Sequence, residues 1–333
     1  KIYSGTEEKP VLKVATERYN SGKNLSGKHK PVEVEPEQIS ALVLNYLKDS
    51  ADRTTTKPTN NAVITVPANF NEYQRRATKD AAKIAGLNPI DTISEPTAAC
   101  ITYAYHTGYS DTERYVIVYD FGGGTLDVSL VKIKGGNFTV IATAGDSHCG
   151  GADIDQHICQ QKIDEIKRKF GVDISAPGRE DREDKYARHR AQLLKQCEQA
   201  KIALSAAIKR TDINIPSFID DKHFISYVSK SDIENYVESN REKLAGPIKL
   251  VFEEAEKKGI KKDKITDNIL VGGSCRIPAI QKLVGEEVGK PPYMPLDPDE
   301  AIATGAAIYG ACKLKKGSIK GFSEFKIEDV TPM

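Results

Sequence analysis

Asp120 and Asp127 flank Phe121-Gly122-Gly123-Gly124-Thr125-Leu126, a segment able to grip an anion and set a cation beside it. Three glycines let the backbone turn tightly and bring several N–H groups onto one anion. No Gly-Lys-Ser/Thr follows, so this is not a P-loop. The next residues read as a strand rather than a helix, which excludes a dinucleotide fingerprint. A glycine turn between two acids suits a phosphate with Mg²⁺, an ion commonly held by one or two carboxylates and several waters. A plain hairpin turn needs only one or two glycines.

Three further segments can join such a site. Val271-Gly272-Gly273-Ser274-Cys275-Arg276-Ile277-Pro278 reads as a strand running through glycines into a helix start, where free N–H groups favour an anion. Gly145-Asp146-Ser147-His148-Cys149-Gly150-Gly151-Ala152-Asp153 repeats the theme, although a loop ending in a helix cap accounts for it equally well. Ser94-Glu95-Pro96 puts a carboxylate at a strand end, the edge of an α/β sheet where ligands bind. Glu95 there either orients an attacking water or simply charges a helix start.

These segments need a frame. Ala62–Val66 reads as a buried strand, Pro67 as a turn and Glu72–Ala85 as a helix; a short strand at Asp91–Ser94 and a helix from Pro96 follow. The order recurs as strand Asn268–Val271, turn Gly272-Gly273, helix from Pro278, short strand Pro292–Pro295 and helix from Pro298. Proline suits a first helical turn, where its missing N–H would have no partner. Strands at Arg114–Asp120, Leu126–Lys132 and Asn137–Thr143 and a helix at Ile154–Lys169 precede the second copy. Before the first copy only Val11–Thr16 reads as a strand. A helix at Pro36–Lys48 follows it, with Ile39, Leu42, Val43, Tyr46 and Leu47 on one apolar face. Matching orders over so long a span read as an internal repeat, and the chain is expected to begin inside its first copy. Within the second half lies an insertion: a charge run, Arg179–Arg190, read as a solvated helix start; a helix, Ala191–Ala207; a hairpin, Asp212–Ile219 with Phe224–Val228; and a helix, Ser231–Lys258.

With 48 Lys+Arg against 47 Asp+Glu, the 333-residue chain carries a net charge of +1. That balance speaks against a sequence-independent nucleic-acid binder, which needs a basic face. No run approaches the ~20 apolar residues that cross a bilayer, so no membrane partner is expected. The six cysteines are scattered with no Cys-x-x-Cys pair, against zinc and against a disulfide framework; a reducing, cytoplasmic setting is expected. Cys149 and Cys275 stand beside the glycine loops, the other four read as core, and His148 reads as a loop hydrogen-bonding residue.

Taken in order, Asn61–Asn71, Arg76–Leu87, Ser94–Ala99, Asp120–Asp127, Gly272–Pro278 and Asp297–Ala307 resemble the motifs of the actin-like ATPase superfamily. Within it they resemble the nucleotide-binding domain of the DnaK-type, seventy-kilodalton heat-shock chaperones. The resemblance covers nearly the whole chain. It implies an α/β fold of two lobes, each a repeated mixed sheet with helices, around a nucleotide cleft, with an inserted α/β subdomain. Residues 1–110 would form lobe I and 111–300 lobe II, with the insertion at about 170–262. Residues 301–322 would be a helix crossing back to lobe I, and 323–333 the start of an interdomain linker. The resemblance also implies ATP/ADP and Mg²⁺, with K⁺ as a further candidate ion, and slow hydrolysis that controls a separate peptide-binding domain. Unfolded-protein clients, a J-domain co-chaperone and a nucleotide-exchange factor are the implied partners.

Carried over by position, Asp120 would act on the magnesium shell and the attacking water, and Glu95 would orient both. Gly122, Gly123, Gly124 and Thr125 would hold the β- and γ-phosphates. Gly150 and Gly151 would approach the phosphate and ribose. Glu198, Lys201 and Ser205 would line ribose and adenine, with Ile202 over the base. Gly272, Gly273, Ser274, Arg276 and Asp299 would complete the nucleoside pocket. Pro67 and Arg75 match the family's switch proline and its partner arginine.

The sequence departs from the family pattern in several places. The family's first phosphate hairpin and catalytic lysine would precede Lys1. Ile202 replaces an arginine stacked on adenine, Asn69 a tyrosine, and Asp91 an arginine implicated in J-domain contact. Phe325–Val330 is more polar than the usual leucine-rich linker, and a peptide-binding domain would have to follow Met333. An ATP-hydrolysing chaperone domain is therefore weighed against a non-cycling relative that acts as a nucleotide-exchange partner. A sugar or glycerol kinase of the same fold fits the Glu198-x-x-Lys201-x-x-x-Ser205 helix less well.

Overall fold

The computed structural model describes residues 2–4, 10–14, 32–108, 111–175, 184–206, 208–315 and 326–328. Ala15 and Thr16, residues 179–183 of the charge run, Ala207 and most of 316–333 lie outside this set, and with them the expectations placed there. Three short strands open the chain, where one was expected: β1 (Ile2–Ser4), β2 (Pro10–Val14) and β3 (Val32–Val34), antiparallel in that order. Helix α1 (Pro36–Thr55) starts at a reciprocal cap, in which the Glu35 N–H donates to Gln38 Oε1 at 2.8 Å. Its expected apolar face is not a core face. Leu42, Val43, Tyr46 and Leu47 are exposed, and Ala41 and Leu44 pack instead with Ala81 and Ala85, the last turns of α2 (Glu72–Ile84) and its cap. Among the described residues, no core cluster includes those four side chains.

Around α2 run β4 (Asn61–Val66) and β5 (Asn88–Ser94), paired in parallel, and β5 leads straight into α3 (Glu95–Thr107). The central sheet comes next. In β6 (Arg114–Phe121), Ile117, Tyr119 and Phe121 enter one core while Val116 and Val118 enter another, so the strand must be covered on both faces. It pairs antiparallel with β7 (Leu126–Lys134), and β7 with β8 (Asn137–Asp146). Helix α4 (Gly151–Phe170) follows.

The insertion contains α5 (Ala187–Leu204), the hairpin β9 (Arg210–Ile219) and β10 (Lys222–Ser229), then α6 (Lys230–Ser239) and α7 (Arg241–Lys257). One long helix was expected where α6 and α7 stand. Asn240 divides them: its φ is −109° and its side-chain amide donates to the Tyr236 carbonyl at 2.8 Å, capping α6 from outside the helical geometry. The second copy of the repeat is β11 (Asp267–Val271), a short 3₁₀ turn over Gly273–Arg276, α8 (Pro278–Val288) and α9 (Ala301–Lys315). The strand expected at Pro292–Pro295 is reduced to a parallel bridge between Tyr293 and Ile269, mirroring the β5–β4 pair. Helix α9 starts three residues later than expected, because the Asp297 side chain takes the Asp299 N–H at 2.9 Å and holds 297–300 in a turn. Strand β12 (Lys326–Glu328) adds to β8 in parallel, completing the sheet order β11-β6-β7-β8-β12.

The two cores lie on opposite faces of this sheet. One is closed by α4, α8 and the insertion, the other by α3 and α9. Residues Pro96–Ala104 of α3 are all buried, as expected of a helix enclosed on every side. At the α3–α9 crossing, Thr102 Oγ1 donates to the Ala301 carbonyl at 2.6 Å, and a Cβ on Gly305 would overlap the Ala98 carbonyl. Gly305→Ala should therefore cost about 1–3 kcal/mol by forcing the helices apart. Gly246→Ala, inside α7 with open space around its would-be Cβ, should add about 0.5–1 kcal/mol. Urea denaturation of both variants checks the contrast; equal shifts would refute the close crossing.

Candidate functional site

Asp120 and Asp127 are cross-strand partners at the turn end of the β6–β7 hairpin. The turn between them is closed by the Gly122 N–H donating to the Thr125 carbonyl at 3.0 Å, and Gly123, Gly124 and Thr125 are exposed at its tip. The segment before α4 is fastened to that turn. Gly151 N–H donates to Gly122 O at 3.0 Å and Ala152 N–H to Gly123 O at 2.9 Å. A Cβ on Gly150 would collide with the Gly123 carbonyl, so glycine alone permits this approach. The Gly150 N–H also donates to the Asp153 side chain at 2.7 Å. The third glycine motif is thus both a helix cap and a neighbour of the hairpin turn.

The β11 motif closes on the same turn. Ser274 Oγ donates to Gly122 O at 2.9 Å. Gly272 has φ +85°, and a Cβ there would stand 2.5 Å from the Phe121 carbonyl, so both conformation and space demand glycine. Its N–H donates to the Pro298 carbonyl at 2.9 Å, tying the turn to the segment before α9. Gly273 faces Asp299. Arg276 is held by two carboxylates, Nε to Asp299 Oδ2 at 2.8 Å and a terminal nitrogen to Asp297 Oδ1 at 2.6 Å.

Glu95 arrives from the other side, at the first turn of α3. Burial, joined by the charges of Asp120 and Asp127, pushes its carboxyl up to about 7. Asp120 is pushed up to about 6 by burial and by Asp127. Burial also raises Asp127, while a hydrogen bond from the Thr125 side chain pulls the other way. Three acids thus crowd a half-buried space beside the glycine turn, a setting that favours proton exchange near neutrality and a neutralising cation.

Lys201 is buried on α5, where its ammonium donates to the Gly151 carbonyl at 3.0 Å and to Asp155 Oδ2 at 2.6 Å. Further along α5, Ile202 and Ser205 line a cavity of about 630 Å³ together with Arg276, Gln281, Leu296 and Asp297. Ile202 is well exposed, and Ser205 Oγ donates to the Lys201 carbonyl at 3.1 Å. Glu198 and Asp299 are exposed, and neither is among the residues lining that cavity. Pro67 stands in the loop from β4 to α2, and Arg75, in the first turn of α2, reaches back to that loop, its Nε donating to the Phe70 carbonyl at 3.1 Å.

Two residues with a place here were not singled out from sequence. Asp155 lies on the buried stripe Gly151, Ile154, Asp155, Ile158, Cys159, and an acid on an apolar stripe was the available signal. Its Oδ1 has no hydrogen-bond partner, and burial raises the carboxyl despite Lys201. Asp297 was read only as part of a motif, but it shares Arg276 with Asp299. His148 sits in an exposed loop with its N–H on Asp146 Oδ1 at 2.8 Å. All six cysteines are free and buried.

The sequence matches the family profile described as Hsp70 protein over residues 7–333. It is 39% identical over 299 residues to a ribosome-associated molecular chaperone of Saccharomyces cerevisiae, covering 90% of this chain and 47% of that protein. It is 40% identical over 299 residues to a heat shock 70 kDa protein of Neurospora crassa, covering 90% of this chain and 44% of that protein. The chain therefore belongs to the Hsp70 family, and its mixed α/β architecture is that family's actin-like ATPase fold. It spans about half the length of these curated relatives.

The Glu95 environment has a pH consequence. The folded chain keeps this proton to about pH 7, while an unfolded chain releases it near the ordinary value of 4.5. Between those values the folded state binds more protons, so the Glu95 contribution to stability is full below pH 4.5 and lost as pH rises through 7. With divalent cations chelated and no nucleotide added, Glu95→Gln should flatten that decline in denaturant titrations across the window. An unchanged slope would show that Glu95 does not share a space with Asp120 and Asp127.

Proposed function

We propose that the chain binds and hydrolyses ATP, to ADP and phosphate, and that its nucleotide state controls peptide binding by a separate domain of a molecular chaperone. The observation that carries this reading is the meeting of Glu95 with Asp120 and Asp127 beside the glycine turn. In it, the N–H groups of Gly123 and Gly124 and the Thr125 hydroxyl hold the terminal phosphates, while the Gly122 N–H closes the turn on the Thr125 carbonyl. Glu95 and Asp120 orient the attacking water, and Glu95, titrating near neutrality, can take its proton. The cavity beside Ile202, Ser205 and Arg276 receives the nucleoside. Lys201 fixes the backbone at Gly151 next to the phosphates.

Mg²⁺ fits the donor set. The charge of Asp127 raises Asp120, and both raise Glu95, a repulsion that a divalent cation would relieve. Among the described residues no group of three His, Cys, Asp or Glu side chains could hold a metal directly. In this reading the ion is held largely through water by Asp120 and, further out, Glu95. When bound, the ion supplies positive charge against the phosphate oxygens. Unfolded-protein clients, a J-domain co-chaperone and a nucleotide-exchange factor are the partners this function would need. A cytoplasmic setting is proposed from the scattered free cysteines, and among the described residues no helix is long and apolar enough to cross a membrane.

Asp120→Asn, in the protein that carries this chain, should keep ATP binding and slow hydrolysis by about 10²-fold or more, because positioning and electrostatics dominate phosphoryl transfer. Single-turnover hydrolysis beside calorimetric ATP binding is the measurement. An unchanged rate would remove Asp120 from the chemistry.

One observation favours a second reading, a weakly hydrolysing relative that acts as an exchange partner. Asp91, at the position of the family's J-domain arginine, takes a 2.7 Å hydrogen bond from Tyr309 and a 3.2 Å ion pair from Lys313. Burial alone would raise its carboxyl, but Tyr309, the Thr92 N–H and Lys313 together hold it below the usual range. An acid there reverses the charge a J-domain would meet, which lowers association. Weak J-domain stimulation is expected, rising in the double variant Asp91→Arg with Lys313→Glu, which swaps the pair and spares the contact with α9. Strong stimulation of the unaltered protein would sink this second reading.

A further inference from the structure

Helices α4 and α5 meet along one buried seam. At one point on it Asp155 of α4 accepts from Lys201 of α5 at 2.6 Å. One turn onward along α4 is Cys159; one turn back along α5 is Cys197. The helices run antiparallel at the seam, so these two steps lead to the same level. There the two thiols stand close enough that each shifts the other's ionisation. Cys197 also senses the charges of Asp155 and Lys162, which bracket Cys159 on α4. Both belong to the core that holds Ile158, Leu193 and Ala200. Cys197 has no exposure and Cys159 keeps 7%.

We propose that Cys159 and Cys197 are a peroxide-oxidisable dithiol whose disulfide would bolt α4 to α5. Cys159 is the side that an oxidant as small as water reaches first. Its neighbour Cys197 holds the Cys159 thiol below its usual range, the direction that favours the reactive thiolate. The Cys159 thiolate attacks hydrogen peroxide, the O–O bond breaks, and hydroxide leaves to take up a proton as water. Cys159 is now a sulfenic acid. The Cys197 sulfur attacks that sulfur, the S–O bond breaks, and its hydroxide leaves as water with the Cys197 proton. Two thiols and one peroxide give one disulfide and two waters.

The bond would act on the nucleotide cavity. Helix α5 carries Lys201, which holds the Gly151 carbonyl, and Ile202, which lines the cavity with the capping residue Ser205. A covalent link one turn from the Lys201–Asp155 pair fixes that wall against the glycine turn. This consequence rests on the nucleotide reading above; the disulfide does not. Slower release of bound nucleotide is the expected effect.

The test begins with the folded protein treated with hydrogen peroxide, then denatured, alkylated, digested and analysed by mass spectrometry. Expected are a mass lower by about 2 Da for the two hydrogens lost and a linked pair of peptides bearing Cys159 and Cys197, both reversed by dithiothreitol. The link should vanish in Cys159→Val, a substitution of similar volume whose thermal melting shows whether the fold survives. Six alkylatable thiols after oxidation, or Cys197 linked to another cysteine, would overturn the proposal. Release of fluorescent ADP should slow several-fold on oxidation and recover on reduction. A link that forms while release stays unchanged would overturn the coupling to the cavity. Failure of the reduced protein to bind ADP would instead sink the nucleotide reading and leave the dithiol standing.

Discussion

The site depends on how closely three stretches of backbone approach one another. Gly150 lies against the Gly123 carbonyl and Gly272 against the Phe121 carbonyl, at separations a Cβ would not allow. Hydrogen bonds from Gly151, Ala152 and Ser274 to Gly122 and Gly123 then fix the three stretches as one unit. Only sheet β11-β6-β7-β8 brings them together. β6 and β7 supply the turn, β8 leads to Gly150, and β11, parallel to β6, ends at Gly272. A side chain at Gly150 would do more than strain a loop. It would push α4 away from the hairpin, and with it the Asp155–Lys201 pair that seats α5.

Electrostatics builds on that geometry. The carboxylates on the hairpin face Glu95 across a half-buried gap, and each is harder to ionise there than in water. A structure kept only for stability has little use for such an arrangement, because unpaired buried acids work against folding. At the cavity beside Arg276 the balance is opposite. Arg276 lines the cavity as a cation, and Asp297 and Asp299 already claim it. Ile202 on the same cavity adds no charge. This cavity would hold a base by shape and apolar contact more than by a stacked cation, while the other end of the site is tuned to a charged group.

How much was legible in the sequence follows from the range of the interactions. The β4-α2-β5-α3 order, the β6–β8 strands and the hairpin turn rest on local periodicity and glycine spacing, and they stand where expected. The pairing of Asp120 with Asp127 follows from the turn between them. The fate of the α1 apolar residues does not, since periodicity marks an apolar face but not what lies opposite it. Asp155 was passed over because its partner Lys201 is far along the chain and its seat in the core exists only once α4 and α5 dock. The division at Asn240 turns on one side chain preferring the Tyr236 carbonyl, a choice that helical periodicity does not register. Asp91 could be recognised as a departure from the family, but its engagement with α9 required the fold.

Helix α9 ties the β11 turn to strand β5. The turn that starts it offers the Pro298 carbonyl to the Gly272 N–H and holds Arg276 through Asp297 and Asp299. Its Gly305 crosses α3 at Ala98, about one turn beyond Glu95 in a helix with no exposed residue from Pro96 to Ala104. Its last turns carry Tyr309 and Lys313 to Asp91 on β5, the strand that delivers Glu95. The Gly272–Pro298 and Gly305–Ala98 contacts are close-packed backbone, and the half-exposed Arg276 and Lys313 add paired charge at either end. A shift of β5 relative to the β11 turn must therefore move α9 as a body or break one of its attachments. Glu95 and the hairpin acids belong to opposite sides of the gap, so the same helix that fixes their spacing is the element through which that spacing can change.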